Sequence, residues 1–356
     1  MEETLALGAA RPTSGNLELS LAALRRRFAA AQKPQPAIFW ADLGVSATVG
    51  WSAFYLAGSL PAGSALSGVA LVVAILALYR AVLFIHEITH LKPNVVRGFE
   101  TTWNLLVGIP LMAPSLLYVG AHRHHHDVTR YGTDLDPEYE PVATWGPLRI
   151  ASSFALMPLF PPALAVRWGV LGPLSRLIPA LRPFVVGHLS TLAINPRYVR
   201  ELPVRRDALR WKLEEAGGAL WVWACTAAIA FGLLDVRWAL VAWAVTAGIL
   251  FLNHARTLAS HRYENLGGQL DWNEQLIDSV NIPGAPILTA LAAPVGLRFH
   301  GLHHMLPGVP YHNVAAVHRA LLEELPEDSP YRDTVTSGVL ATLGQLFARS
   351  ARNAQR

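Results

Sequence analysis

The sequence predicts an all-α integral membrane protein: four transmembrane helices in two hairpins, with a cytoplasmic helical cap that carries three boxes of histidine. Three observations predict it. Hydrophobic residues form 52% of the 356-residue chain and charged residues only 15%, with a mean hydropathy of +0.31, far from the balance of a soluble protein. Four apolar stretches, about 38–60, 66–85, 217–234 and 236–252, come near the roughly 20 residues that a helix needs to cross a bilayer. Nine of the fourteen histidines fall into tight groups, each placed where an apolar stretch gives way to polar sequence.

From the N-terminus, Met1 to Gly15 is small and polar, so no secretory leader is expected. Within the tail 1–36, residues Leu17 to Ala31 set Leu17, Leu19, Leu21, Leu24 and Phe28 beside Arg25, Arg26 and Arg27, the composition of a helix lying on a membrane surface. The first two spans are joined by an uncharged Pro/Gly/Ser turn and the last two by a turn holding Asp235 and Arg237, both short enough for hairpins. The remaining segments hold the Lys and Arg residues, which places them all on the cytoplasmic side.

Thr101–Ala121 is apolar but broken by Pro110 and Pro114, and a crossing there would put the first two histidine groups on opposite faces. It is read as a re-entrant pair of half-helices, tolerable only where its backbone is buried in protein. Ile150–Val166, with three prolines, is read as an interfacial helix. Residues 322–356 form a cytoplasmic tail, and the whole chain is one domain without internal repeats. The single Cys225 rules out a disulfide framework and an iron–sulfur cluster. Despite a pI of about 9.4, the Arg residues are scattered and not gathered in a patch, so no nucleic-acid partner is expected.

The histidines carry the chemistry. His86 and His90 are one helical turn apart; His122, His125, His126 and His300, His303, His304 repeat one pattern, i, i+3, i+4, on one helix face. Imidazole suits iron, zinc, copper or nickel, and so many ligands are too many for one ion, which points to two. His124 projects away from its neighbours. His261, beyond the fourth span, is preferred to His254 as a further ligand. His254 and His312 are candidates for an additional ligand or for a group that orients one. Glu87, Asp136 and Glu138 are candidates to orient imidazoles through their other nitrogen, while the acidic run from Asp134 to Glu140 could equally be a solvated loop or a docking site for a basic partner. His188 and His318 are read as interfacial or surface residues.

The order of an HxxxH box, an HxxHH box, a lone histidine after the last span and a final HxxHH box resembles the membrane fatty acid desaturase superfamily, over about residues 40 to 320. The resemblance implies a non-haem di-iron centre, with O2 as co-substrate, held by His86, His90, His122, His125, His126, His261, His300, His303 and His304. It also implies an apolar lipid or fatty-acyl substrate and an external electron donor of ferredoxin, rubredoxin or cytochrome type, since no such domain is fused here. Desaturation is the first expectation. Hydroxylation of a fatty acid or alkane, and oxidative decarboxylation to a terminal alkene, start from the same oxidant and differ in substrate placement. Two other classes fit the pattern less well. His86-Glu-Ile-Thr-His90 matches the HExxH pattern of zinc proteases, but an intramembrane protease would leave the other boxes idle. A metal transporter would place its ligands inside the spans, whereas these lie at their ends.

Overall fold

The computed structural model describes residues 21–284 and 286–353, and among these it is all-helical, with isolated backbone bridges in place of strands. A short helix α1 (Leu21–Arg27) precedes the first hairpin, α2 (Pro36–Ser59) and α3 (Ala65–Val82), after which α4 (Phe84–His90) continues the line of α3. α2 meets α3 through small residues, Ala47, Gly50, Ala53 and Ala57 at three- to four-residue spacing, opposite Ala70, Ala74, Leu78 and Ala81. This is how apolar helices pack where the surroundings are equally apolar. At Gly50 an added Cβ would lie 2.6 Å from Leu78 Cγ, so contact at this depth needs glycine.

α5 (Phe99–Trp103) widens into one looser turn, Asn104–Gly108, and the chain reverses between Ile109 and Pro114. Asn104 closes the reversal, accepting the Ser115 amide at 2.7 Å and donating to the Ser115 hydroxyl at 2.9 Å. Two carbonyls freed by the break are taken up by indoles: Trp51 donates to Leu106 O at 2.9 Å and Trp168 to Met112 O at 2.8 Å. Such substitution is what a broken helix needs at membrane depth. Both ends of Thr101–Ala121 therefore lie on the same side, and α6 (His122–His125) follows directly.

α7 (Pro147–Ala155), α8 (Phe160–Val166) and α9 (Gly172–Leu177) form one broken helical path. By length and composition three stretches could cross a membrane: Ala65–His90, Pro147–Leu177 and Val236–Leu258. The second contains the segment expected to lie at the interface, and its contacts show an excursion and return. It follows α12 (Val236–Leu258) away from the cap, from Ser153 against His254 to Pro158, whose carbonyl accepts from Trp243. It then turns back along the second hairpin's other arm, α11 (Ala208–Ala230), from Gly169 against Trp223 to Arg176 and Arg182 on Glu215, which Arg167 also reaches. α10 (Arg182–Leu189) ends this path.

The hairpin turns meet at one end of the molecule. Arg237 donates to Ala57 O at 3.0 Å and to Leu60 O, and Trp238 stacks on Tyr55 at 5.8 Å. The third long helix starts nine residues earlier than the expected stretch 217–234, because α11 begins with a charged turn inside the cap. Gly58 lies under Trp238, where an added Cβ would sit 2.4 Å from the ring. Gly58→Leu is expected to destabilise the solubilised protein by about 1–3 kcal/mol, read as a lower thermal midpoint, while Gly44→Ala, with open space around it, leaves the midpoint unchanged.

At the other end the cap is built from α13 (Trp272–Asp278), α14 (Pro286–Ala292), α15 (His300–Met305), α16 (Tyr311–Glu324), α17 (Pro330–Asp333) and α18 (Val339–Asn353). One expectation changes here. The helix expected over Leu17–Ala31 is seen as α1, residues 17–20 lying outside the described ones, and its Leu24 and Phe28 are buried against Leu302, Met305 and Leu306, so protein and not lipid covers them. The described part of the C-terminal tail packs on the cap: Leu346 is fully buried with Tyr131 and Tyr263, and Asn353 donates to Ala143 O at 2.9 Å.

Candidate metal centre

α4 puts His86 and His90 on one face, one turn apart. α6 and α15 are each little more than a single turn, long enough to fix an i, i+3, i+4 trio and no more. His261, just past the end of α12, is positioned from a distance. The extended segment around Asn281 bridges His261 on one side, through Ser279, and Phe299 on the other. The Asn281 carboxamide accepts from Leu302 N at 3.0 Å and donates to Thr334 at 2.7 Å. Gly301 is required there, because a Cβ would come within 2.9 Å of that carboxamide.

The nine imidazoles fall into two groups whose ligand atoms lie within 4.8 Å of one another: His86, His90, His122, His126 and His303, and then His125, His261, His300 and His304. The partition splits each trio. In α6 the i and i+4 rings join the first group and the i+3 ring the second, and in α15 the assignment is reversed. The groups touch, His126 and His304 stacking at 4.4 Å.

Within each group the nitrogens crowd in a way that suits a shared cation. His126 Nε2 lies 3.0 Å from both His122 Nε2 and His303 Nε2, and His300 Nε2 lies 2.8 Å from His261 Nε2 and 3.1 Å from His304 Nε2. A metal–imidazole bond of about 2.1 Å puts ligand atoms at right angles about 3.0 Å apart. Burial, followed by the neighbouring imidazoles, holds His122, His126, His300, His303 and His304 well below the ordinary histidine range, so they are neutral and offer lone pairs. The buried Nε2 atoms of His86, His90 and His125 have no hydrogen-bond partner, a cost that metal binding would remove. The residues present fit two metal ions.

Carboxylates hold the far side of three rings. Glu138 Oε1 lies 2.5 Å from His122 Nδ1, with the Tyr118 hydroxyl bridging the pair at 2.8 and 3.0 Å. Asp136 lies 2.9 Å from His125 Nδ1 and Asp278 lies 3.2 Å from His261 Nδ1. Burial pushes the Glu138 carboxyl up to about 7. Asp278 goes the other way: burial opposes its charge, but hydrogen bonds from His261, Tyr131 and Tyr139 prevail and hold it below the usual range. Burial also opposes charge on His125, yet Asp136 beside it prevails and raises that imidazole above its ordinary value.

Asp136 and Glu138 thus each contact an imidazole of the second box. Glu87 does not orient a ring: its carboxylate is 3.8 Å from His86 Nδ1 and instead accepts the Tyr311 amide at 3.1 Å. His254 bonds Ser153 at 2.7 Å, and His312 accepts from the Gln35 amide at 3.2 Å; neither joins a group. His124 meets Tyr198 and Arg130, outside both groups. His318, expected at the surface, is buried against the Tyr331 hydroxyl at 2.6 Å. Sequence reading missed Asp278, Tyr118, Tyr131, Tyr139 and Asn281. None carries a local pattern, and Asp278 reaches His261 only because the segment after α13 doubles back beside it.

Comparison with known proteins agrees with this geometry. The family model described as fatty acid desaturase matches residues 62–335. A protein of Caulobacter vibrioides named ceramide hydroxylase is 44% identical over 316 residues, covering 89% of this chain and 90% of its own length.

Proposed function

The chain belongs to the fatty acid desaturase family and is a membrane oxidoreductase acting on lipid, and from that premise we propose that it hydroxylates a ceramide-type lipid with O2 at a di-iron centre. The observation that carries the proposal is near-full-length identity of 44% to a ceramide hydroxylase, together with neutral imidazoles gathered as five and four. The reaction inserts one oxygen atom of O2 into a C–H bond and reduces the other to water, consuming two protons and two electrons from outside.

In this reading the nine grouped histidines hold two irons, whose contribution is to bind and reduce O2 to an oxidant able to attack an unactivated C–H bond. Glu138, Asp136 and Asp278 fix the tilt and tautomer of His122, His125 and His261. Burial of the rings keeps bulk water from the oxidant. α2, α3, α11 and α12 are proposed as four spans in two hairpins, with the hairpin turns on one side and the cap on the cytoplasmic side. The Lys and Arg residues of the cap and connecting segments support that orientation. The path through α7, α8 and α9 is proposed to dip into the same leaflet and return.

Sequence reading put desaturation first; the ceramide hydroxylase likeness moves hydroxylation ahead of it. The test is expression in a bacterial host supplied with ceramide, with lipids profiled by mass spectrometry. Gain of one oxygen atom on the substrate is expected. Loss of two hydrogens would make the enzyme a desaturase, release of a terminal alkene would make it a decarboxylase, and unchanged lipid would overturn the proposal.

A further inference from the structure

Between Pro141 and Arg200 the chain holds six arginines and no Asp, Glu or Lys. Three of the six converge on a single carboxylate. Arg167 and Arg182 each donate to Glu215 Oε1 at 2.9 Å, and Arg176 donates to Oε2 at 2.5 Å. Among the described residues no other carboxylate lies within ion-pair distance of these three guanidiniums. Three positive charges thus meet one negative charge, and two are left without a counter-charge. The acids of the neighbouring elements face elsewhere: Glu214 takes the Ser115 hydroxyl and the Leu116 amide, and Glu201 and Asp207 line a separate depression with Arg97 and Arg200. Lys212, one turn before Glu215 on α11, is exposed and adds to the positive side.

The deepest of the three is fixed in place. Arg167 is 3% exposed; its Nε donates to Leu189 O at 2.9 Å and its Nη2 to the Ser190 hydroxyl at 2.7 Å, and its guanidinium carbon lies 4.5 Å from the centre of the Trp168 ring. Gly172 makes room for it, since a Cβ there would crowd Nη1 at 3.0 Å. That Nη1 is buried with no hydrogen-bond partner, a costly state for a charged donor. The other two side chains lead to the surface, Arg182 being 16% and Arg176 39% exposed. The surface they reach is apolar. Leu177, Ile178, Pro179, Ala180 and Leu181 form the whole turn between Arg176 and Arg182, and Leu177 is 79%, Ile178 45% and Phe184 56% exposed. Guanidinium groups match phosphate oxygens in charge and in fork geometry, and basic pockets between the helices of membrane proteins take up lipid head groups. A soluble anion would leave the apolar rim uncovered.

We propose that Arg167, Arg176 and Arg182 hold the phosphate of an anionic phospholipid of the surrounding bilayer, whose acyl chains lie against Leu177, Ile178 and Phe184. The lipid supplies the missing counter-charge and ties α9 and α10 to α11, so its occupancy stabilises the fold. It is a ligand distinct from the substrate, because ceramide carries no charge for three guanidiniums to select. The inference goes beyond the proposed reaction and needs neither iron nor O2.

The test uses the full-length protein in detergent with phosphatidylglycerol, phosphatidylcholine and inorganic phosphate as probes. Bound lipid is counted by native mass spectrometry, and the thermal midpoint is read alongside. Wild type is expected to retain phosphatidylglycerol over phosphatidylcholine and to gain thermal midpoint with phosphatidylglycerol alone. Arg176→Gln is expected to weaken phosphatidylglycerol binding by about fivefold and Arg176→Gln/Arg182→Gln by about thirtyfold. Arg25→Gln/Arg26→Gln, which removes the same charge from exposed side chains of α1, should leave binding unchanged. Arg176 lies at the surface, so the single variant reports even where the double variant does not fold. Equal affinity in wild type and Arg176→Gln would overturn the proposal, as would equal retention of phosphatidylcholine. So would equal stabilisation by inorganic phosphate, which would make this a site for a free anion, or displacement of phosphatidylglycerol by ceramide, which would make it part of the substrate path. Failure of the functional reading is separable, because it would leave wild type without product while these binding results stand.

Discussion

Replacing His300 by alanine is expected to lower iron content from two to about one per chain and to cut product by on the order of 10⁴-fold or more, the scale seen when one member of a group acting as a unit is lost. His300 belongs to the group of four and lies 2.8 and 3.1 Å from its neighbours' ring nitrogens, so its loss leaves three ligands around the second position. The group of five, to which α15 contributes only His303, stays complete. Metal analysis of the purified protein and mass spectrometry of its product read the two effects separately. His254→Ala and His312→Ala provide the contrast. Their side chains bond Ser153 and Gln35 away from both groups, so iron and product should persist. Full iron and full activity in the His300 variant, or loss of iron in the other two, would overturn the ligand assignment.

Asp278→Asn is expected to lower iron affinity or activity by about 10- to 100-fold, the usual effect of removing a carboxylate that steers a ligating imidazole. Asparagine keeps the shape but loses the charge that favours the proton on His261 Nδ1 and leaves Nε2 free. Asp278 also accepts from the hydroxyls of Tyr131 at 2.6 Å and Tyr139 at 3.1 Å and from the Tyr263 amide at 3.1 Å, so some stability is lost with it. The pH dependence identifies that share. A carboxyl held below its usual range in the folded protein contributes stability that is fully present above its unfolded value and is lost as pH falls through the depressed one. The wild-type advantage over Asp278→Asn in acid denaturation should therefore shrink toward low pH. Tyr131→Phe, which keeps the carboxylate, should retain more iron than Asp278→Asn; the reverse order would show that the hydroxyl and not the charge sets the ring.

The metal chemistry was legible in the sequence because a helix turns a spacing into a direction. Residues one turn apart share a face whatever the rest of the chain does, so the boxes at His86, His122 and His300 could be read as groups of convergent imidazoles. Composition likewise announced the long helices, since only apolar side chains can face lipid. The expected interfacial segment after Ile150 was harder to read, because its length and composition also fit a crossing. Only its contacts with Trp243 and Trp223 show that it turns back.

Spacing could not say which ring joins which metal position. It put His122, His125 and His126 on one face, but the separation of His125 from the other two depends on where α15 and His261 stand against α6. The choice of His261 over His254, the service of Asp278, and the half-burial, among the nine rings, of His90, His126 and His304 alone likewise depend on packing. Local sequence fixes the direction of a side chain within its own turn, and contacts between turns distant in the chain fix which point in space those directions share.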